Sequence, residues 1–356
     1  MNILVVKPSS LGDILHTFPA VDLLRREYPD AGITWLVNDN FAGLIDLLPG
    51  VDEVILFRRQ RWGRMRHWHE CIPFVRDLRQ RGFDLAIDFQ GLLRSALLAW
   101  LSGAPARIGF HSARECGRMF YTEKVMVPAN LNHAVDRNVF LVQSGLRLEG
   151  EMRVPPLRQH HDFVKFARQL IQENRLDAGQ GVLAVAPGAR WASKRWPAES
   201  FAKVIDGVAQ ERPETAVWLL GSEDERGLAE EVRAACRVAA PANLAGKTNL
   251  GTLCEMLRAS DALLTNDSGP MHLAAALGVP TVAIFGPTSA ALTGPYGPGH
   301  RVFSAPCAVG PCFRRTCPQG ERACLESISS KKVTEALLDV LSGETKPSLS
   351  GKEMVP

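Results

Sequence analysis

Three short segments of this chain carry side chains suited to proton transfer and to phosphate binding. They are residues 7–13 with Asp13, residues 187–197 with Lys194, and residues 266–272 with Asp267. A carboxylate can take a proton from an attacking hydroxyl, and a lysine can neutralise a phosphate as a point charge. Their chemistry depends on the secondary-structure elements that position these groups.

The segment 262–288 predicts a strand, a tight turn, a helix and a second strand. Its turn, Asn266-Asp267-Ser268-Gly269-Pro270, is rich in turn formers, and Asp267 or Ser268 can cap the helix that follows. A helix N-terminus at the carboxyl edge of a strand presents free N–H groups to a diphosphate. His272, one turn into this helix, is placed either for packing or for a diphosphate contact. The alternative for the whole segment is a β-α-β crossover that binds nothing.

The loop after the first strand places Asp13 at the start of a helix. Asp13 can act as a general base, as a helix cap, or as both, because one partly shielded carboxylate can do either job. Gly12 permits close approach of the backbone. Ser10 can hydrogen-bond an anionic ligand or only shape the turn.

Residues 187–197 form a basic loop at the end of another strand. Lys194 is suited to a leaving diphosphate, and Arg190 and Arg195 can add bidentate contacts. The alternative is a solvated basic loop. Glu223 follows a later strand and can accept hydrogen bonds from ribose hydroxyls. The alternatives for Glu223 are a metal-binding acidic cluster and a simple solvated helix start, which is common because acidic residues favour a helix N-terminus.

Arginines and tryptophans are concentrated in residues 58–69, where Arg58, Arg59, Arg61 and Arg64 are the first four basic residues. Arginine pairs with phosphates and carboxylates, and tryptophan favours a membrane interface. Docking on an anionic lipid headgroup fits this composition better than nucleic-acid binding. A solvated basic helix face is the alternative.

Four of the eight cysteines, Cys307, Cys312, Cys317 and Cys324, fall within one Pro- and Gly-rich loop. Their spacing is not a common zinc-ribbon or ferredoxin pattern. The interpretations left open are a structural metal site and a set of free thiols.

Alternating apolar strands and helical segments predict an α/β protein with two Rossmann-like, doubly wound domains that face each other across a cleft. We expect an N-terminal domain over residues 1–155, a second over 163–330, a terminal helix over 331–342 and a disordered tail over 343–356. The predicted strands are 3–6, 33–37, 54–57, 85–87, 182–186, 216–220, 262–265 and 281–285. A helix is predicted over residues 14–26, with Pro19 in an early turn or at a kink.

The composition limits the classes of protein to which this chain can belong. The chain has 356 residues, 46% of them hydrophobic and 22% charged, and a net charge of +3, which does not indicate general nucleic-acid binding. The first residues lack the apolar core of a signal peptide, and no apolar run approaches the ~20 residues of a membrane span. We expect a cytoplasmic protein, peripheral to the membrane, with reduced cysteines.

Together these motifs resemble the ADP-heptose:lipopolysaccharide heptosyltransferases, a glycosyltransferase family with the two-domain GT-B fold. The specific matches are Ser10-Leu11-Gly12-Asp13 with Pro19-Ala20, the turn 266–272, and Phe285-Gly286-Pro287-Thr288. The segments 54–59, 88–95 and 133–137 are most similar to the enzymes that add the first heptose. The cysteine loop departs from those enzymes.

The resemblance implies a donor, ADP-heptose, and an acceptor, 3-deoxy-octulosonic acid (Kdo) on lipid A at the cytoplasmic face of the inner membrane. It implies that Asp13 is the general base and that Lys194 contacts the donor diphosphate. The residues implied in donor binding are Glu223, Thr248, Asp267, Ser268, Gly269, Met271 and His272. Those assigned to the acceptor are Ser10, Gly12, Arg58, Arg59, Arg61 and Arg64.

The expected reaction is an inverting sugar transfer by a monomer that requires no metal cofactor. Three alternatives stay open: a relative with a different sugar or acceptor, a nucleotide-sugar epimerase of the same architecture, and a protein that binds an anion or lipid without turnover. An epimerase would convert a nucleotide sugar with no acceptor present.

Overall fold

The computed structural model describes residues 1–62, 65–174, 181–304, 307, 309–317 and 323–343. The chain divides into two compact units, Met1–Arg158 and Gln159–Pro356. Each unit is built around its own six-stranded parallel sheet. In the described part of the chain, no helix is both long and apolar enough to cross a membrane.

The first unit alternates strands and helices along the chain. Its strands are β1 (Asn2–Val6), β2 (Gly32–Asn38), β3 (Glu53–Phe57), β4 (Leu85–Asp88), β5 (Ala106–Phe110) and β6 (Glu123–Val125). Its helices are α1 (Leu11–Leu15), α2 (Phe18–Glu27), α3 (Ala42–Ile45), α4 (Arg59–Trp62), α5 (Cys71–Gln80), α6 (Leu93–Leu101) and α7 (Ala134–Leu146). The strand order is β3-β2-β1-β4-β5-β6.

The second unit repeats this plan. Its strands are β7 (Val182–Ala186), β8 (Ala216–Leu219), β9 (Ala242–Asn243), β10 (Ala262–Asn266), β11 (Thr281–Phe285) and β12 (Arg301–Ser304). Its helices are α8 (His161–Glu173), α9 (Ala198–Glu211), α10 (Arg226–Ala235), α11 (Leu250–Arg258), α12 (Gly269–Ala276), α13 (Ala290–Thr293), α14 (Ala323–Glu326) and α15 (Ser330–Leu341). The order β9-β8-β7-β10-β11-β12 is the first sheet's order again.

Both sheets change winding direction at one point, between β1 and β4 and between β7 and β10. Such a switch point leaves a crevice at the carboxyl ends of the two strands, where doubly wound sheets bind ligands. The strands at both points are buried apolar runs, as in sheets covered on both faces. The topology therefore predicts one ligand site in each unit, on the loops that follow these strands.

The eight predicted strands are present, and β5, β6, β9 and β12 were missed. These four lie toward the sheet edges, and β12 is largely exposed, so its sequence lacks a continuous apolar run. The single helix predicted over residues 14–26 is wrong. The chain forms α1 and α2, and Pro19 occupies the first turn of α2, where its missing N–H removes no helical hydrogen bond.

Candidate active site

Asp13 lies in the first turn of α1, on the loop that leaves β1. Its Oδ2 atom accepts hydrogen bonds from the Ser10 backbone N–H at 3.0 Å and from the Ser10 hydroxyl at 2.7 Å. Ser10 and Asp13 thus close the start of the helix, and the buried Gly12 lies between them. The capping role of Asp13 is present, and it is compatible with proton transfer because a carboxylate has several acceptor positions.

A cavity of about 320 Å³ opens beside Asp13 at the β1/β4 switch point. Of the described residues that line it, Asp13 is acidic, whereas Lys7, Arg114 and Arg137 are basic. The lining is completed by His16, Phe89, Gln90, Gly91, Phe110, Ser112, Ala113, Ala134 and Asn138. One carboxylate among three cations is suited to an anionic substrate that must also give up a proton.

Lys7 is fixed beneath this cavity. Its Nζ donates to the Phe89 carbonyl at 2.9 Å, and its own carbonyl accepts from the Trp35 indole at 3.2 Å. Burial lowers the pKa of Lys7, and the nearby carboxylates of Asp13 and Asp88 oppose that change. The lysine is a positioned charge beside Asp13, not a solvated side chain.

Asp88, at the end of β4, organises the other wall of the cavity. Its fully buried carboxylate accepts hydrogen bonds from the Tyr121 hydroxyl at 2.6 Å, the Ser95 hydroxyl at 2.7 Å and the Gln90 N–H at 2.8 Å. Burial raises the pKa of Asp88, and these hydrogen bonds oppose the shift. The network fixes the turn at Gln90 and Gly91, which faces the cavity.

In the second unit, Lys194 and Asp267 form an ion pair at the β7/β10 switch point. The distance from Lys194 Nζ to Asp267 Oδ2 is 2.5 Å, and the Thr288 hydroxyl donates to the same oxygen at 2.6 Å. Lys194 Nζ also lies 4.9 Å from the centre of the Trp191 ring. The fold brings these residues together from the segments that follow β7, β10 and β11.

The loop that carries Lys194 is tied to the end of β10 by Asn266. The Asn266 side chain accepts from the Trp196 N–H at 3.1 Å and donates to the Pro187 carbonyl at 2.7 Å. Both ends of the loop are therefore held by one buried amide. This explains how a long basic loop is held over the sheet.

Helix α12 begins at Gly269, two residues after Asp267, and Ser268 is its N-cap residue in extended conformation. Gly269 opens the helix, and the first turn of a helix has N–H groups without intrahelical partners. His272 is half-buried. The Met271 side chain is fully buried against Ala283 and Phe285, so it packs the helix on the sheet and only its backbone can face a ligand.

The predicted ribose and base residues lie on adjacent loops. A Cβ atom added to Gly246, whose φ is +79°, would lie 1.8 Å from the Glu223 carboxylate. Gly246 also donates its N–H to the Gly221 carbonyl at 2.9 Å. The structure therefore places Glu223 beside the loop of Thr248, which is half-buried, because glycine lets the two backbones approach.

The arginine-rich segment has mixed positions. Arg58 is exposed, and Arg59 lines a second cavity of about 180 Å³. Arg61 donates to Glu70 through Nε at 2.9 Å and Nη2 at 2.6 Å, so its charge is already paired. Arg64 lies outside the described residues.

None of the four clustered cysteines forms a disulfide in the described part of the chain. Burial raises the pKa of Cys324, and so does the proximity of Cys307 and Cys317. Within the described ranges, no group of three or more His, Cys, Asp or Glu side chains is arranged to hold a metal ion. The segment contacts the Lys194 loop, since the Ser193 hydroxyl donates to the Arg314 carbonyl at 2.8 Å.

Sequence reasoning missed several cavity residues, namely Lys7 as a site residue, His16, Gln90, Arg114, Arg137 and Asn138. A usable signal existed for two of them, since Lys7 directly follows β1 and Gln90 lies two residues after β4, and these buried strands meet at the switch point. Arg114 and Arg137 come from distant segments, and only the folded chain brings them to the site.

Comparison with known proteins agrees with this architecture. Residues 72–322 match the model of glycosyltransferase family 9 (heptosyltransferase). Lipopolysaccharide heptosyltransferase 1 of Pseudomonas aeruginosa is 32% identical over 326 residues, which cover 89% of this chain and 87% of that protein.

Two solved structures share the fold over nearly the whole chain. E. coli ADP-heptose lps heptosyltransferase II has a TM-score of 0.79 and 26% identity, with 97% of this chain and 99% of that chain covered. E. coli heptosyltransferase WaaC with ADP has a TM-score of 0.75 and 25% identity, with 96% and 100% covered. Both the family model and the relatives support one conclusion: this chain belongs to glycosyltransferase family 9, the heptosyltransferases.

Proposed function

We propose that this protein transfers heptose from ADP-heptose to the Kdo region of lipid A, as the first heptose of the lipopolysaccharide core. The observation that carries the proposal is the pair of switch-point sites, one with Asp13 among cations and one with Lys194 beside a helix N-terminus. The name of the Pseudomonas aeruginosa relative, heptosyltransferase 1, supports the first-heptose assignment. The bound ADP in the solved E. coli heptosyltransferase WaaC supports the donor.

In the proposed reaction the acceptor hydroxyl gives its proton to Asp13 and attacks the anomeric carbon of the donor. A new carbon–oxygen bond forms at that carbon, the bond to the diphosphate oxygen breaks, and ADP leaves with the bonding electrons from the opposite face. The configuration inverts because the attack and the departure are on opposite faces. General-base help of this kind contributes roughly 100- to 10,000-fold.

The second unit's residues are proposed to hold the donor. Lys194 and the first turn of α12 receive the charge that develops on the leaving diphosphate, and such preorganised groups are worth about 3 to 4 kcal/mol each. Ser268, Gly269 and His272 belong to this site. Glu223 and Thr248 are proposed to contact the ribose and the adenine, on adjacent loops.

The first unit's cations are proposed to bind the acceptor. Kdo carries a carboxylate and lipid A carries phosphates, and Arg114, Arg137 and Lys7 line the cavity next to Asp13. Arg59 lines the second cavity and, with the exposed Arg58, suits the lipid headgroup, whereas Arg61 is paired with Glu70. The proposed location is the cytoplasmic face of the inner membrane, because the acceptor is a lipid.

The test is incubation of the protein with ADP-heptose and Kdo-lipid A, followed by mass spectrometry of the lipid. We expect a mass gain of one heptose, with release of ADP. An acceptor that already carries the first heptose distinguishes first from second addition. Conversion of ADP-heptose without acceptor would identify the protein as an epimerase. Binding of ADP without any product would identify it as a non-catalytic protein. Either result would overturn the proposal.

A further inference from the structure

Large apolar side chains are exposed together on the outer surface of α5, α6 and the 3-10 turn Gly117–Phe120. We define the apolar face as Ile72, Leu93, Leu97, Trp100 and Met119. Their exposed fractions are 71%, 40%, 36%, 44% and 76%. These fractions are high for side chains of this size, and a contiguous exposed apolar patch marks an interaction surface.

The fold brings these five residues to one surface. Leu93, Leu97 and Trp100 are spaced by four and three residues, so they share the side of α6 opposite the buried Leu98 and Ala99. Helix α5 packs on the same face of the sheet, since its Leu78 joins the core cluster that contains Leu98.

Two further contacts join the elements of the apolar face. The Arg79 guanidinium donates to the Leu101 carbonyl at 3.1 Å and ties the end of α5 to the end of α6. The Phe120 ring lies 6.0 Å from the Trp100 ring, which places the turn of Met119 against α6.

Exposed arginines surround the apolar face. Arg76 lies one turn after Ile72 on α5, Arg94 lies in the first turn of α6, and Arg118 precedes Met119. Across the described ranges, none of these three arginines forms an ion pair. The acidic residue of these three elements, Asp77, is paired with Arg81. The surface is thus apolar at its centre and cationic around it.

The start of α6 connects the apolar face to the candidate active site, because Leu93 lies between two residues that line a cavity. The 180 Å³ cavity is lined by Leu92, Arg94 and Ser95 from the start of α6. Gln90 lines both this cavity and the one that contains Asp13. A lipid whose acyl chains stay beside α6 can therefore extend its headgroup toward Asp13 along one surface of the first unit.

We propose that the apolar face docks the first unit on an anionic lipid bilayer, with Ile72, Leu97 and Trp100 in the interfacial region and the arginines against lipid phosphates. Apolar side chains with tryptophan and unpaired cations are the composition of interfacial membrane binding. The proposal rests on the lipid-linked acceptor of the proposed function, and it adds the surface and the orientation that deliver this acceptor.

The test uses the full-length protein and flotation with vesicles that contain no acceptor. We expect binding to vesicles of phosphatidylcholine mixed with phosphatidylglycerol, and much weaker binding to phosphatidylcholine alone. The triple variant Ile72→Ser, Leu97→Ser, Trp100→Ser should weaken binding to the anionic vesicles by about tenfold or more. Arg76→Gln with Arg118→Gln should remove the preference for anionic lipid.

A matched control removes three exposed apolar side chains elsewhere, Val154, Phe166 and Val238, by the same change to serine. This control should bind vesicles as the unmodified protein does. Equal vesicle binding by all variants would overturn the proposal. Sedimentation velocity measures the oligomeric state. If the unmodified protein were a dimer and the triple variant a monomer, the apolar face would instead bind a second copy of the chain, and the proposal would be overturned.

Activity separates this proposal from the proposed function. The triple variant should retain transfer to a water-soluble acceptor without acyl chains and lose transfer to an acceptor embedded in vesicles. Loss of both activities would indicate damage to the fold or the site and would count against docking. Vesicle binding without any transfer would leave the docking surface supported and the proposed function refuted.

Discussion

Lys194 and Asp267 meet at the carboxyl ends of neighbouring strands, with Nζ 2.5 Å from Oδ2 and only 18% and 5% of their side chains exposed. The charge of Lys194 is therefore held in place before any ligand binds. Because Asp267 also accepts a hydrogen bond from the Thr288 hydroxyl, its carboxylate keeps a partner when Lys194 turns toward a diphosphate. The pair is a preorganised charge rather than a surface salt bridge.

The first prediction concerns Lys194→Ala. We expect a loss of about 100- to 1,000-fold in kcat/KM, because a preorganised donor is removed and the carboxylate of Asp267 then repels the diphosphate. ADP affinity, measured by calorimetry, should fall as well. Lys203→Ala, on the exposed side of α9, is the control. Unchanged kinetics in Lys194→Ala would show that this lysine is only a structural ion-pair partner of Asp267.

The second prediction concerns Asp13, whose carboxylate both caps α1 and faces the cavity. Asp13→Asn keeps an oxygen that can accept from Ser10 but cannot take a proton, so the fold should persist while turnover falls by at least about 100-fold. ADP affinity should stay within about twofold. Asp22→Asn on α2 is the control, because it removes a carboxylate that pairs with Arg26 outside the site. A rate close to the unmodified enzyme's would exclude Asp13 as the base.

Much of this architecture follows from local patterns in the sequence. The buried strands beside the switch points are continuous apolar runs, and they were predicted to within a residue or so. The loops that follow them contain Asp13, Lys194 and Asp267, so the main elements of both sites were visible before the fold was known. The edge strand β12 was missed because most of its residues are exposed.

The remaining site residues could not be predicted because they depend on tertiary contacts. Arg114 and Arg137 reach the Asp13 cavity from a loop after β5 and from α7. The pairing of Arg61 with Glu70 likewise could not be predicted, because it forms only in the folded chain. Met271 was chosen for its position in a motif, whereas its burial depends on how α12 packs on β11.

The third prediction tests the cations of the Asp13 cavity. Arg114→Gln and Arg137→Gln should each raise KM for the acceptor by about tenfold, because a charge-assisted contact to an anionic group is worth about 1.5 to 3 kcal/mol. KM for ADP-heptose should change little. Arg168→Gln, an exposed arginine of α8, is the matched control. An increase confined to the donor KM would contradict the assignment of this cavity to the acceptor.

The fourth prediction concerns pH and the Arg61–Glu70 pair. Hydrogen bonds to the Glu70 carboxylate, the largest contribution coming from Arg61, lower the pKa of Glu70 from 4.5 to about 2. A carboxyl group whose pKa is lowered on folding stabilises the folded state at pH values above its ordinary pKa. This contribution is lost as the pH falls from about 4.5 toward 2. Glu70→Gln should therefore lower Tm at pH 6, and the difference from the unmodified protein should shrink below pH 4.5.

The measurement is thermal unfolding at several pH values and at low and high salt. Asp30→Asn, on an exposed turn, serves as the control and should follow the unmodified protein at each pH. A constant difference between Glu70→Gln and the unmodified protein across this range would show that the ionised form of Glu70 is not what stabilises the segment.

The fifth prediction contrasts two glycines of the second unit. A Cβ atom at Gly188 would lie 2.1 Å from a carboxylate oxygen of Glu225, whereas a Cβ atom at Gly227 has no atom within 4 Å. Glu225 also accepts hydrogen bonds from the backbone and the hydroxyl of Ser222, at 2.9 and 3.0 Å. Gly188→Ala must displace this carboxylate and disturb the loops after β7 and β8 together.

We expect Gly188→Ala to raise KM for the donor by about tenfold and to lower stability by about 1 to 3 kcal/mol, the usual cost of overpacking. Gly227→Ala, inside α10, should instead raise stability by about 0.5 to 1 kcal/mol through helix propensity and leave the kinetics unchanged. Urea unfolding and steady-state kinetics on both variants measure these effects. If Gly188→Ala behaved like Gly227→Ala, the Lys194 loop would tolerate displacement of the Glu225 carboxylate. The close packing of Glu225 against this loop would then have no part in donor binding.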